Sequence, residues 1–124
     1  MSNEADLGGH SILVVEDEYY QAADAARALG GAGAEIIGPC PTEEAARAAL
    51  ETQRPDAVVL DVNLGSGPTF QLAETLKERG IPFVFFTGYD QVMIPKEFED
   101  IVRLEKPVEL QKIVGAISKV VMAP

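Results

Sequence analysis

Short apolar runs alternate with amphipathic stretches along the whole chain. Five runs have the length of a buried strand, and they fall at residues 12–15, 35–38, 57–61, 82–86 and 101–105. Apolar positions with helical spacing follow four of these runs, at residues 18–29, 41–55, 69–79 and 108–121. Strands and helices that alternate in this way predict a parallel sheet with helices on both faces.

The predicted helices carry recognisable start and stop signals. Thr42 is placed to cap the second helix, and Pro68 suits the start of the third. Gly30 and Gly31 suit the end of the first helix. The predicted buried stripes consist of Tyr19, Ala22, Ala23, Ala26 and Leu29 in the first helix, and of Leu110, Ile113, Val114, Ile117, Val120 and Val121 in the last.

Five strand–helix units in 124 residues fit the flavodoxin-like (βα)5 fold, an α/β doubly wound parallel sheet with strand order 2-1-3-4-5. A TIM barrel needs about twice this length. We predict a flexible N-terminal tail over residues 1–10 and one domain over residues 11–124. Pro95 falls where the fourth helix would run, and proline inside a helix costs about 3 kcal/mol. We therefore expect that helix to be short or irregular.

Composition narrows the class of function. The net charge of −10 disfavours binding to a nucleic-acid backbone, which depends on clustered lysine and arginine. No apolar run approaches the length of a membrane span, and the single cysteine, Cys40, has no partner for an internal disulfide. We expect a cytoplasmic protein that binds neither nucleic acid nor membrane.

Polar side chains follow four of the predicted strands directly. Glu16, Asp17 and Glu18 follow the first strand, Asp61 ends the third, Thr87 follows the fourth and Lys106 follows the fifth. The carboxyl ends of parallel strands meet at one edge, where open α/β sheets bind ligands. Neighbouring carboxylates repel each other and favour a cation, and an all-oxygen set suits Mg²⁺.

This combination indicates phosphoryl transfer to an aspartate. Asp61 can act as a carboxylate nucleophile that forms an aspartyl-phosphate. Such transfer needs positioning, a metal and positive charge on the transferring oxygens. Lys106 can supply the charge, the Thr87 hydroxyl can hydrogen-bond a phosphoryl oxygen, and Gly88 leaves room and offers a backbone N–H.

The segments "ILVVEDE", "VVLDVNLGSG", "FVFFTGY" and "LEKP" together resemble the receiver domain of two-component response regulators over residues 10–122. The resemblance implies that Asp61 is the phospho-acceptor, that Glu16 and Asp17 hold Mg²⁺, and that the carbonyl of Asn63 is a further ligand. It also implies that Thr87 is the switch hydroxyl and that the donor is a histidine kinase or a histidine phosphotransfer protein. Receivers commonly have a cis bond at the position of Lys106–Pro107.

The chain departs from the family pattern at one notable position. Receivers usually carry Tyr or Phe three residues before the lysine, and Arg103 stands there. A regulatory role for Arg103 would therefore differ from an aromatic rotamer switch. Tyr89 either overhangs the site, where it would control water access with Asn63, or packs beside the fifth strand.

The "FFTGY" run also resembles a receiver sub-family in which the fourth strand ends in Phe-Ala-Thr-Gly, often found as stand-alone receivers. Their partner kinases are commonly of the HWE type. The leading interpretation is thus a single-domain response regulator that signals by protein–protein contact and is not an enzyme acting on free substrates. A multidomain regulator cut after the receiver would have the same sequence.

Two alternative functions use the same residues. A phosphatase of the haloacid-dehalogenase type also attacks with an aspartate after a strand, but it needs a second aspartate where this chain has Asn63. A pseudo-receiver would bind partners without accepting phosphate. The complete set of Asp17, Asp61, Thr87 and Lys106 argues against that alternative.

Overall fold

The computed structural model of the protein describes residues 6–64, 70–87, 94–106 and 108–122. These residues form a five-stranded sheet in which every neighbouring pair of strands is parallel. The strands are β1 (Ser11–Val15), β2 (Glu35–Cys40), β3 (Ala57–Asp61), β4 (Phe83–Thr87) and β5 (Arg103–Glu105). Their order is β2-β1-β3-β4-β5, which confirms the predicted flavodoxin-like arrangement.

Four α-helices are present in the described part of the chain: α1 (Tyr19–Gly31), α2 (Glu43–Thr52), α3 (Gln71–Glu78) and α4 (Leu110–Met122). The Thr42 side chain accepts a hydrogen bond from the backbone N–H of Ala45, as expected for the N-cap of α2. The predicted role of Pro68 lies outside the described residues. None of the described helices is both long enough and apolar enough to cross a membrane.

Each face of the sheet has its own hydrophobic core. Because strand side chains alternate between faces, Val58 and Leu60 pack with α2 and α3, whereas Ala57 and Val59 pack with α1 and α4. All five residues of β3 are buried. Burial on both faces is the reason that the central strands read as continuous apolar runs. The site residues at the end of β3 therefore follow a central strand that is held in place by packing on both faces.

The segment between β4 and β5 is irregular, as Pro95 predicts. In its described residues, 94–102, the regular structure is a single 3₁₀ turn, Lys96–Phe98, that begins directly after Pro95. Phe98 of this turn is fully buried. Its ring stacks on Phe70 at a centroid distance of 5.9 Å and meets Phe83 and Phe85 of β4 edge to face.

One residue of the N-terminal segment packs in the core of the domain. Residues 1–5 are outside the described part, but Leu7 is fully buried and its backbone N–H donates to the carbonyl of Ala32 at 2.7 Å. Leu7 therefore packs in the core, although it lies within the predicted flexible tail over residues 1–10. An apolar side chain in a polar, glycine-containing segment was not recognised as part of the core.

The buried side of α1 is also rotated relative to the prediction. Tyr19 was expected to be buried but is 75% exposed, and the buried residues are Ala22, Ala25 and Leu29. In an alanine-rich helix, neighbouring faces differ little in hydrophobicity, so the pattern defines the orientation poorly. Likewise Leu110 at the start of α4 is exposed, whereas Ile113 and Ile117 are buried.

Candidate functional site

The strand register brings the predicted site residues to the carboxyl edge of the sheet. Asp61 is paired with Phe86, and Thr87 with Glu105, so β3, β4 and β5 end at nearly the same level. Glu16 follows β1 directly, and its backbone N–H donates to the carbonyl of Cys40 at 3.0 Å. Four strand ends thus hold Glu16, Asp61, Thr87 and Lys106 in one place.

Asp61 is a buried carboxylate with a partner on each oxygen. Its side chain is 3% exposed. Oδ1 accepts a hydrogen bond from the backbone N–H of Asn63 at 2.9 Å, and Oδ2 accepts one from Lys106 Nζ at 3.1 Å. The next residue, Val62, donates its N–H to the carbonyl of Phe86 at 3.1 Å, which fixes the end of β3 against β4. The carboxylate is therefore held in one orientation, with little contact with water.

Lys106 joins the carboxylates of the site. Its Nζ lies 2.6 Å from Glu16 Oε1 and 3.1 Å from Asp61 Oδ2, and its backbone N–H donates to the carbonyl of Thr87 at 2.8 Å. Burial alone would lower the pKa of Lys106, but the hydrogen bond to Glu16 and the charges of both carboxylates outweigh it and raise the pKa. The side chain therefore stays protonated and carries a fixed positive charge into the site.

Glu16 is the most perturbed acid of the site. It is 1% exposed, and Oε2 accepts the backbone N–H of Glu18 at 3.0 Å. Burial, followed by a hydrogen bond with Asp61, raises the pKa of Glu16 to about 7, although Lys106 acts in the opposite direction. Oε1 is paired with the ammonium group of Lys106 at 2.6 Å.

The acids form a cluster that suits a divalent cation. Glu16, Asp17 and Asp61 each place a carboxylate oxygen within 4.8 Å of the others. Asp17 is exposed, whereas Glu16 and Asp61 are buried. Three hard oxygen donors fit Mg²⁺, which prefers carboxylate ligands and retains several waters. The exposed position of Asp17 leaves one side of the cluster open to those waters.

The remaining predicted residues fall into three groups. Thr87 is 6% exposed at the end of β4, and its carbonyl accepts the backbone N–H of Lys106. Asn63 is exposed just after β3. Gly88, Tyr89 and the Lys106–Pro107 bond lie outside the described residues. Arg103 is exposed at the start of β5 and is paired with Phe85, two positions before Thr87 on β4.

One contact at the site was missed by the sequence reasoning. Lys106 Nζ lies over the ring of Phe86, 5.4 Å from its centroid, which is within the range of a cation–π interaction. Phe86 reads in the sequence as an ordinary residue of a buried strand. Only the register of β4 and β5 brings its ring under the ammonium group, and no sequence pattern carries that information.

The chain is similar to known signalling proteins over nearly its whole length. Residues 12–118 match the response regulator receiver domain. The phyllosphere-induced regulator PhyR of Methylorubrum extorquens is 30% identical over 112 residues, which cover 87% of this chain and 42% of PhyR. The sensory transduction protein LytT of Bacillus cereus is 35% identical over 88 residues, covering 68% of this chain and 36% of LytT. The chain thus spans less than half the length of these curated relatives.

Among solved structures, the solution structure of SdrG from Sphingomonas melonis Fr1 superimposes with a TM-score of 0.78. It is 32% identical in sequence, and the match covers 99% of this chain and all of SdrG. The similarity to SdrG therefore extends over nearly all of this chain and all of SdrG.

Proposed function

Because the chain belongs to the response regulator receiver domain family, we propose that Asp61 accepts a phosphoryl group from a phosphohistidine of a partner protein. The observation that carries this proposal is the buried Asp61 carboxylate, 3.1 Å from Lys106 Nζ and within a cluster of three acids. A carboxylate held in one orientation, beside a fixed positive charge, is suited to attack at phosphorus.

The transfer is an exchange of one phosphorus bond for another. An oxygen of Asp61 forms a bond to phosphorus while the bond from phosphorus to the histidine nitrogen breaks, and the electron pair of that bond goes to the imidazole. Because Asp61 is 3% exposed, little water has to be removed from the nucleophile before it reacts. The hydrogen bond from the Asn63 N–H to Oδ1 keeps the carboxylate plane fixed during the approach.

The acids supply the proposed metal site. Asp17, Glu16 and Asp61 would hold Mg²⁺, together with the backbone carbonyl of Asn63. When bound, Mg²⁺ supplies positive charge that offsets the mutual repulsion of the carboxylates and the phosphoryl oxygens. Binding of the cation requires Glu16 to be ionised. Because the pKa of Glu16 is raised to about 7, the cation should bind more tightly above pH 7 than below it.

Lys106 and Thr87 respond to the new group. Lys106 Nζ now shares its charge between Glu16 and Asp61, and a phosphoryl oxygen on Asp61 offers it a stronger anionic partner. The Thr87 hydroxyl can then hydrogen-bond another phosphoryl oxygen. Addition of a dianionic group thereby shifts an equilibrium between two conformations of this edge of the sheet.

The proposed partners are proteins. The donor is a histidine kinase or a histidine phosphotransfer protein, and the sub-family resemblance makes a kinase of the HWE type the first to test. The output is a contact with a target protein, and the net charge of −10 argues against direct binding to nucleic acid. We place this exchange in the cytoplasm and regard the protein as a phospho-acceptor that catalyses only its own phosphorylation and dephosphorylation.

The test uses two phosphoryl donors, one of which needs no partner protein. Wild type and Asp61→Asn are incubated with Mg²⁺ and acetyl phosphate, and in parallel with a phosphorylated kinase, and intact masses are recorded. The proposal predicts one added phosphoryl group that is stable in acid, labile in alkali and absent from Asp61→Asn. No added mass with either donor would point to a pseudo-receiver. Continuous release of phosphate from many small esters would point to a phosphatase.

A further inference from the structure

The ammonium group of Lys106 has three neighbours of two kinds. Two are carboxylates, Glu16 at 2.6 Å and Asp61 at 3.1 Å. The third is the ring of Phe86, 5.4 Å away from its centroid. A cation over an aromatic ring is attracted by the negative face of the ring, and the attraction is larger where water is excluded. The lysine side chain is 12% exposed, so this contact is largely shielded from solvent.

The ring of Phe86 also serves the core. It is 2% exposed and packs in the cluster that joins the sheet to α1 and α4. The other two phenylalanines of β4, Phe83 and Phe85, point to the opposite face and pack against Phe98. Phe86 differs from both because its ring lies under the charge of the site. A role in packing and a role toward Lys106 can therefore be separated by comparison with Phe83.

The three contacts respond differently to the proposed reaction. Both carboxylates would hold the cation, and Asp61 would also form the bond to phosphorus. Their interactions with Lys106 therefore weaken during the reaction. The ring of Phe86 takes part in neither event and stays in place, because β4 is hydrogen-bonded to both β3 and β5. The ring contact is thus the one that persists through the reaction.

We infer that Phe86 is a positioning residue for Lys106: its ring holds the ammonium group at the reacting carboxylate while Glu16 and Asp61 engage the cation and the phosphoryl group. This inference rests on the proposed function and adds a residue to it. Phe86 lies beside Asp61 in the register of β3 and β4, but its side chain carries no polar atom, so we expect its effect on the reaction to pass through Lys106.

The decisive variant changes the charge distribution of the ring and leaves its shape nearly unchanged. Phe86 is replaced by 3,4,5-trifluorophenylalanine, which weakens the negative face, and Phe86→Leu removes the ring. The maximal rate of phosphorylation by acetyl phosphate is measured at saturating Mg²⁺. We expect a fall of about five-fold in both Phe86 variants. The Mg²⁺ concentration for half-maximal rate should stay unchanged, because the ring supplies no ligand to the cation.

Phe83 provides the matched control, since it is equally buried on the same strand and faces away from Lys106. The same two replacements at Phe83 should leave the maximal rate unchanged in the folded protein. A second readout does not depend on phosphorylation. In the wild type the ring current of Phe86 should shift the ε-methylene proton resonance of Lys106 upfield, and Phe86→Leu should abolish that shift.

The outcomes separate the two proposals. If the wild type is phosphorylated and the trifluoro variant at Phe86 reacts as fast as the one at Phe83, the positioning role is wrong. An unshifted Lys106 resonance in the wild type would also overturn it. If the wild type accepts no phosphoryl group, the proposed function fails, and the positioning role fails with it. A rate loss confined to the Phe86 variants, together with the shifted resonance, supports the inference.

Discussion

The ammonium group of Lys106 lies 2.6 Å from Glu16 Oε1, inside a site where the Glu16 side chain is fully shielded from water. This contact does not suffice to keep the acid fully ionised at neutral pH, because burial and the neighbouring Asp61 raise the pKa of Glu16 to about 7. The site therefore holds a carboxyl group that gains or loses its proton near neutral pH, and this has consequences for stability.

The Glu16→Gln variant should remove part of the pH dependence of stability. Between pH 4.5 and about 7, the folded protein retains a proton on Glu16 that the unfolded chain has released. The free energy of unfolding of the wild type therefore falls as pH rises through this window, by on the order of 3 kcal/mol from this group. Glu16→Gln stays neutral and should lack this fall, which urea titrations from pH 4.5 to 8 measure.

Glu51→Gln serves as the control for this experiment, because it removes an exposed acid near the end of α2, outside the cluster. Its stability should follow the wild-type curve within about 0.5 kcal/mol. Parallel curves for wild type and Glu16→Gln would show that Glu16 has an ordinary pKa in the folded protein.

Magnesium should stabilise the folded protein through the three carboxylates. At a Mg²⁺ concentration about one hundred times its dissociation constant, the free energy of unfolding should rise by about 2.7 kcal/mol. The gain should be smaller at pH 6 than at pH 8, because the cation has to displace the proton of Glu16 at the lower pH. Thermal unfolding with and without Mg²⁺ measures both effects.

Asp17→Asn should abolish most of this gain, since Asp17 is the exposed member of the cluster and its loss leaves two acids. Glu51→Gln should keep the gain in full. An equal gain from Mg²⁺ in Asp17→Asn and in the wild type would place the cation elsewhere.

Arg103→Ala should leave phosphorylation intact. Arg103 is exposed on β5, and the alternation along the strand directs it away from the core that contains Leu104. A surface substitution of this kind changes energies by about 0.5 kcal/mol, so the rate with acetyl phosphate should stay within about two-fold of the wild type. Rates from intact-mass time courses, with Arg103→Lys as the control, test this. A loss of ten-fold or more would place Arg103 in the reaction.

Phe98→Ala should be among the most destabilising substitutions in the chain. The fully buried Phe98 ring packs against the rings of Phe83 and Phe85 on the sheet. The 3₁₀ turn that carries it is held by a hydrogen bond of 2.7 Å from Lys77 Nζ to the carbonyl of Glu97. Loss of a buried phenylalanine side chain costs about 3–5 kcal/mol. Phe98→Leu should cost clearly less, and urea unfolding of both variants measures the difference. A small effect of Phe98→Ala would show that the 3₁₀ turn is not part of the core.

The chemistry at the strand ends could be predicted from the sequence, because the signals there are local. Strand β3 has the predicted bounds, Ala57–Asp61. A strand buried on both faces is a continuous apolar run, and this run and its terminal acid can be recognised in the sequence alone. The same is true of Thr42, whose capping role depends on the next three residues. Parallel topology then brings Glu16, Asp61 and Lys106 together.

Features that depend on tertiary packing could not be predicted in this way. Phe98 is buried because the 3₁₀ turn after Pro95 lies against α3 and β4, and no periodicity marks that turn. Leu7 is buried because it pairs with the turn after α1. The contact between Phe86 and Lys106 depends on the register of two strands. These residues surround the chemical groups, and their roles emerge only from the three-dimensional arrangement.

The most direct test of the central claim locates the phosphoryl group chemically. Wild-type protein is phosphorylated with Mg²⁺ and acetyl phosphate and then treated with borohydride, which reduces an aspartyl-phosphate to homoserine and leaves free carboxylates unchanged. Peptide mass mapping then reads the residue at position 61, with Asp61→Asn as the blank. Homoserine is expected in place of Asp61, with Asp17 and Glu16 unmodified. Unmodified Asp61, or homoserine at another aspartate, would contradict the central claim.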